Sequence, residues 1–270
     1  MNLTDAMRRQ YSASKAHWRV HFSIEVTRLL AAAYLVLGGQ RVLTVSALAI
    51  VAPIASYFVR RTADVAYGHA ERMRRLLYLQ DGLGREPTRA DLLELRADAT
   101  WLPDLEPLPV GSYYSSALPR GPRRLAHICE EAAFHTRGYA CAAATAFFVI
   151  AAVGVLFAAM LLWYAIHGAI GAGQATLLAR FASSLLTFFA AGSFVSMALA
   201  FQALRNAAQR AFERLDRLAS SNAATAADVL LVIGAYDCAL AKAPAIPTLT
   251  YRALRSRLNE AWDEHGRGRL

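Results

Sequence analysis

The 270-residue chain is 56% hydrophobic and 18% charged, with a mean hydropathy of +0.29, where a soluble domain has about 45–50% and about 25%. That balance excludes a disordered chain and argues against an ordinary soluble enzyme. The formal charge is +9, and only Lys15 and Lys242 of the 29 basic residues are lysine; the arginine and alanine bias points to a high-GC bacterial source. Cys129, Cys141 and Cys238 form no C-x-x-C pair, so neither a zinc ribbon nor a disulfide scaffold fits.

The N-terminal arm, 1–22, carries Arg8, Arg9, Lys15 and Arg19 ahead of any apolar run, which is not the order of a secretory signal. A first transmembrane hairpin is expected over 23–60. Its first span holds Glu25 and Arg28 in its opening turns, three apart on one helical face, where they can pair or snorkel. Gly38-Gly39-Gln40-Arg41 makes the reversal, and Val42 to Val59 gives 18 uncharged residues.

The segment 61–137 reads as a cytoplasmic helical insert. No proline interrupts Arg60 to Leu83, and Met73, Leu76, Leu77 and Leu79 recur near helical spacing, so the second span is expected to continue as a long helix until Gly82 and Gly84 stop it. Thr88-x-x-Asp91 has the spacing of a capping box and predicts a short helix to about Ala99. Five of the nine prolines fall between Pro103 and Pro122, in a loop whose Trp101, Tyr113 and Tyr114 give it surface to dock. Helical character returns after Pro122.

A second hairpin is expected over 138–204. Gly138 to Ala179 has 42 uncharged residues and Phe181 to Leu204 has 24, where about 20 apolar residues cross a bilayer core of roughly 30 Å. His167 to Gln174, with three glycines, divides the two spans. The tail, 205–270, extends the fourth span with Phe201, Leu204, Phe212, Leu215 and Leu218, turns at Ser220-Ser221-Asn222, and adds a helix from Thr225 to Ala241. Pro244 and Pro247 precede a last helix striped by Tyr251, Leu254, Leu258 and Trp262. No alternating strand pattern appears anywhere, so the fold class expected is all-α.

Of the 29 basic residues, 27 lie in 1–28, 60–137 and 205–270, and only Arg41 and Arg180 lie elsewhere. The positive-inside rule puts those three segments, and both termini, in the cytoplasm. Topology accounts for most of the charge and leaves a minority of arginines for an anionic ligand. The insert is nearly balanced, with 12 basic and 11 acidic residues, whereas the two terminal segments carry 5 against 2 and 10 against 7. Arg8, Arg9, Lys15 and Arg19, with Arg252 and Arg255 of the last helix, are therefore the candidate ligand-binding residues. A nucleotide or short single-stranded or cyclic oligonucleotide suits them, with Tyr11, Trp18, Tyr251 or Trp262 to stack on bases; anionic lipid headgroups are the other reading of the same charges.

His127, Glu131 and His135, beside Cys129 and Glu130, climb one helical face. Ligands four apart on one straight helix cannot surround an ion, so polar helix contacts are expected in place of a metal. No hydrolase or nucleotide-loop signature is present, and neither an enzyme nor a cofactor is expected. In the fourth span Ser184, Thr187, Ala191, Ala198 and Gln202 fall within one quarter of the helical wheel. That stripe fits a water-filled path or close helix packing equally.

The tract Arg8-Arg9-Gln10-Tyr11-Ser12-Ala13-Ser14-Lys15 resembles the R-Q-x-Y-S-x-A-K opening of the SMODS-associated four-transmembrane effectors, a bacterial anti-phage family encoded beside nucleotidyltransferases. A second patch, Cys129 through Arg137 with Tyr139, is similar to that family's C-Q…R-x-x-Y pattern, departing from it at Glu130, in lacking a tryptophan and in the Arg–Tyr spacing. The order of parts agrees along nearly the whole chain. The resemblance implies a pore-forming effector of the bacterial inner membrane, controlled by the product of a partner nucleotidyltransferase. Four helices of one chain enclose little beyond their own side chains, so a channel would be a homo-oligomer. A non-conducting membrane anchor, whose C-terminal helices recruit a soluble partner, is the competing reading.

Overall fold

The computed structural model describes residues 2–36, 42–98, 114–168, 170–191 and 193–267, and among them the chain is all-helical, with no strand. In chain order the elements are α1 Leu3–Val36, α2 Val42–Leu83, α3 Arg89–Asp98, α4 Pro122–His167, α5 Ala172–Leu186, a π-helical turn Thr187–Ala191, α6 Ser193–Ser220, α7 Ala226–Lys242 and α8 Thr248–Arg267. The Gly38–Arg41 reversal and most of the proline-rich loop, with Trp101, Pro103 and Tyr113, lie outside the described residues.

The helix ends follow local chemistry. Asn2 Oδ1 accepts the Asp5 amide at 2.8 Å to start α1. The Thr88–Asp91 pair closes reciprocally: Asp91 N–H donates to Thr88 Oγ1 at 3.1 Å, and Thr88 N–H to the Asp91 carboxylate at 2.8 Å. Thr225 and Asp228 repeat this box at the start of α7. Gly84, at φ +74°, takes the left-handed conformation that ends α2, a position that disfavours any residue with a Cβ. Gly82, one residue inside the helix end, lets α4 approach; a Cβ there would lie 2.8 Å from the Leu125 backbone.

The chain divides into two compact units. The first comprises Met1–Lys15, Asp64–Ala142 and Phe201–Leu270. Leu3, Ala6 and Met7 of α1 pack there with Ala70, Met73 and Leu77 of α2 and Leu95 of α3, while α6 buries Phe201, Leu204 and Leu215, and α7 buries Val229, Val232, Tyr236 and Leu240. Large side chains lie inside, as in a soluble protein.

The second unit, Ala16–Ala63 with Ala143–Ala200, is built the other way round. Along α4 the buried positions include Ala144, Ala151, Ala158 and Ala165, an alanine every seventh residue, with Ala143, Phe147 and Gly154 beside them. Outward on the same helix stand Val153, Leu156 at 69% exposure, Met160, Trp163 and Ile166. Small residues at the helix contact and large apolar residues on the outside are the packing of helices in lipid. On this buried side Phe147 stacks on Phe22 of α1 at 6.0 Å and meets Phe194 of α6 at 6.1 Å. Gly154 faces the Phe189 ring so closely that a Cβ would come within 2.3 Å of it.

Two helical runs, Pro122–His167 and Ala172–Ser220, are long and apolar enough to cross a membrane, and only 22% and 27% of their most apolar stretches are buried. A core helix of a soluble protein would be mostly covered. In α1, Glu25 and Arg28 do pair, at 2.9 Å, and Glu25 also accepts the Ser56 hydroxyl of α2 at 2.7 Å. Ser56 meets His21 Nδ1 at 2.7 Å, so Glu25, Arg28, Ser56 and one nitrogen of His21 form a connected polar set inside the unit.

Candidate functional site

The N-terminal tract folds as the first turns of α1, and helical geometry sorts its residues. Leu3, Met7, Gln10 and Ser14 alternate at spacings of four and three and are buried, whereas Asp5, Arg8, Arg9 and Ser12 face outward. Tyr11 lies at the edge of the buried stripe and donates its hydroxyl to Glu71 Oε1 of α2 at 2.7 Å. Glu71 also pairs with Arg74, one turn on, whose guanidinium lies 5.5 Å from the Tyr78 ring centroid. Burial pushes the Tyr11, Tyr67 and Tyr78 hydroxyls well above their ordinary range and raises Tyr236 to about 12. Next to this set Arg75 reaches Asp237 of α7 at 2.6 Å. Within the resemblance tract Tyr11 is therefore occupied in holding α1 against α2, and Gln10 and Ser14 are buried near it.

The outward half carries the cations. Lys15 places its ammonium 5.2 Å from the centroid of the Tyr251 ring, and Arg255, one turn further along α8, places its guanidinium 5.9 Å from the same ring. Tyr139 packs on Tyr251 at 5.1 Å. Partial burial lowers the pKa of Lys15. Arm and tail thus bring two of the candidate cations onto one aromatic side chain, an arrangement worth about 0.5–2 kcal/mol per cation according to its exposure. Arg252 is exposed beside Tyr251, and Arg8 and Arg9 are exposed two turns back along α1. Arg19 is exposed too, but belongs to the second unit.

Three of the four aromatic residues expected to stack on bases are otherwise engaged. Trp18 and Trp262 are buried, and Tyr11 is committed to Glu71. Tyr251, at 37% exposure, is the one of the four that offers surface. Composition shows aromatic residues near the charges but not which way they turn.

The helical face of His127, Glu131 and His135 does make polar and aromatic helix contacts. Glu131 accepts the Ser115 hydroxyl at 2.7 Å, and that hydroxyl accepts from Trp262 Nε1 at 3.1 Å. The His127 ring lies 5.5 Å from the Trp262 ring and that of His135 6.5 Å. Burial raises the Glu131 pKa and lowers that of His135. In the second resemblance patch Cys129 is buried, which raises its thiol pKa. Arg137 lies between the Phe134 and Phe212 rings at 5.0 and 4.9 Å and donates to Gln209 at 2.9 Å.

The polar stripe expected along a fourth span is interrupted. Thr187 opens the π-helical turn, where the wider spacing of residues carries the helix out of the phase assumed for a continuous α-helical wheel. Before the turn Ser184 is half-buried and Thr187 exposed, each bonded to its own helix, to Arg180 O at 3.0 Å and Ser183 O at 2.9 Å. Beyond it Ala198 is fully buried and Gln202, in the first unit, is half-buried. The side chain of Ala191 lies outside the described residues. A π turn has no strong sequence signal, so the wheel could not foresee it.

Comparison with protein-family models, curated proteins and solved structures finds no match to this chain.

Proposed function

We propose that the chain is a four-span membrane effector of bacterial anti-phage defence, a homo-oligomeric channel or pore in the inner membrane, gated by a nucleotide or oligonucleotide. The observation that carries the membrane part is the inverted packing of α4. From Ala144 to Ala165 the alanine seam covers about 32 Å at the helical rise, close to the roughly 30 Å of a bilayer core. Trp163 and Tyr164 stand exposed at its end, where interfacial aromatic residues belong. Ile50, Val51, Ile54 and Phe58 of α2, with Leu30 of α1, are large apolar side chains that also stand exposed, and they support two further spans from the first hairpin. The effector part rests on the resemblance of the N-terminal tract and the order of parts. The paired cations on Tyr251 support an anion-receiving surface between arm and tail.

The deciding experiment uses purified protein in lipid vesicles loaded with a potassium-sensitive dye, challenged with linear and cyclic oligonucleotides. A ligand-dependent flux, weakened by Arg8→Ala/Arg9→Ala and by Tyr251→Leu, is expected. Each phosphate contact should add about −0.7 to the salt slope of binding. Flux that ignores every nucleotide overturns the gating, and vesicles that stay sealed under all ligands overturn the channel. The anchor reading draws support from Leu230, Leu231 and Leu249, which stand exposed on α7 and α8. Sealed vesicles together with saturable binding of a soluble partner to the tail would favour it.

A further inference from the structure

We infer that Glu130, Asp216 and His265 form a binding site for a divalent transition-metal cation, best matched by zinc, which ties the tail helix to the rest of its unit. The three residues come from α4, α6 and α8, and one ligand atom from each lies within 4.8 Å of the other two. His265 Nε2 is 3.2 Å from Glu130 Oε1, across 135 positions of sequence. Two ligands of a tetrahedral zinc ion stand about 3.3 Å apart, from bond lengths near 2.0–2.1 Å. The observed spacing therefore suits a shared cation as well as it suits a hydrogen bond.

Further features suit the cation. Glu130 is completely buried, and carboxylates removed from water are paired with cations or coordinate metals. A proton on His265 Nε2 points in one direction, toward Glu130, whereas a cation reaches Glu130, Asp216 and the imidazole lone pair together. The imidazole is also held in place, with its ring 5.6 Å from Phe212 and 5.4 Å from Trp262. One nitrogen and two oxygen donors suit zinc better than calcium or magnesium, which favour oxygen alone. The cluster is not the helical face legible in the sequence. His127, Glu131 and His135 point to Trp262 and Ser115, and the metal-ligating residue of that stretch is the neighbour, Glu130.

The test needs no nucleotide, so its outcome is independent of the proposed gating. Tag-free protein in detergent is stripped with a chelator, dialysed and titrated with Zn²⁺ against a chromophoric competitor, with Mg²⁺ and Ca²⁺ as comparisons. One zinc per chain with submicromolar affinity is expected, together with a higher melting temperature. His265→Gln and Asp216→Asn should each weaken binding at least tenfold while keeping the helical circular dichroism. His127→Gln should leave it unchanged. His265→Cys supplies a thiolate and should restore zinc binding, with a sulfur-to-cobalt charge-transfer band on Co²⁺ substitution, a signature that a merely structural histidine would not produce. Zinc that binds as tightly to His265→Gln as to the native chain, or no saturable zinc binding, overturns the site.

Discussion

Tyr11 of α1 donates its hydroxyl to Glu71 of α2 at 2.7 Å, and the same carboxylate holds the buried guanidinium of Arg74. The first turns of the chain are therefore fastened to a charge pair that has left water. Tyr11→Phe leaves one lone pair of a buried carboxylate without its donor and should cost about 1–3 kcal/mol. Glu71→Gln removes the charge facing Arg74 and should cost more, about 3–5 kcal/mol. Denaturant unfolding in a mild detergent measures both, and a smaller loss for Glu71→Gln than for Tyr11→Phe would refute this ordering.

Glu131 gives a pH dependence of known sign. Burial raises its folded pKa above the ordinary carboxylate value, so the folded state holds the proton more tightly than the unfolded one. Its contribution to stability is full below the unfolded pKa, near 4.3, and is lost as pH rises through the folded pKa. Melting temperature measured from pH 4 to pH 7 should therefore fall by less in Glu131→Gln than in the native chain. Parallel curves would remove Glu131 as the source.

Gly154 and Phe189 offer a packing test in the second unit. Gly154→Ala puts a methyl group into the Phe189 ring and should destabilise by about 1–3 kcal/mol through overpacking. Adding Phe189→Leu should recover part of that loss. The readout is the monodisperse fraction in detergent after graded heating, and additive losses in the double variant would show that the two positions do not meet.

Topology can be read with reporter insertions. Fusions after Gly84 and at the C-terminus should report the cytoplasm, and one near Gly171 the opposite side. Leu156→Arg, on the outward face of α4, should lower membrane insertion by about 2.5–3.5 kcal/mol. A Gly84 reporter on the outside would remove the four-span arrangement.

Much of the helical order can be read from the chain, because its signals are local. Thr88 with Asp91 starts α3, Gly84 ends α2 and Glu25 pairs with Arg28, each through neighbours three or four residues apart or through a glycine at the helix end. What cannot be read depends on which face of one helix meets another. Lys15 and Arg255 were legible as cations at the two ends of the sequence, but their shared ring, Tyr251, was one of four aromatic candidates until the buried faces of α1 and α8 were known. Glu130 was legible only as a neighbour of the His127, Glu131 and His135 face, because the side chains gathered around it, Asp216 and His265, lie on helices far along the chain. The π turn at Thr187–Ala191 is likewise a property of packing, in a run of Thr, Phe and Ala that is compatible with an ordinary helix.

The alanine seam of α4 has one more consequence. Ala144, Ala151, Ala158 and Ala165 have no side-chain torsions, so bringing them into contact freezes no rotamers, whereas each leucine in their place would surrender about 0.5–1 kcal/mol of conformational entropy. Where lipid tails already surround every apolar group, expelling water adds little to helix association. A contact surface with no disorder to lose can then be held by dispersion alone, and the torsional freedom of Leu156, Met160 and Ile166 remains on the outer face.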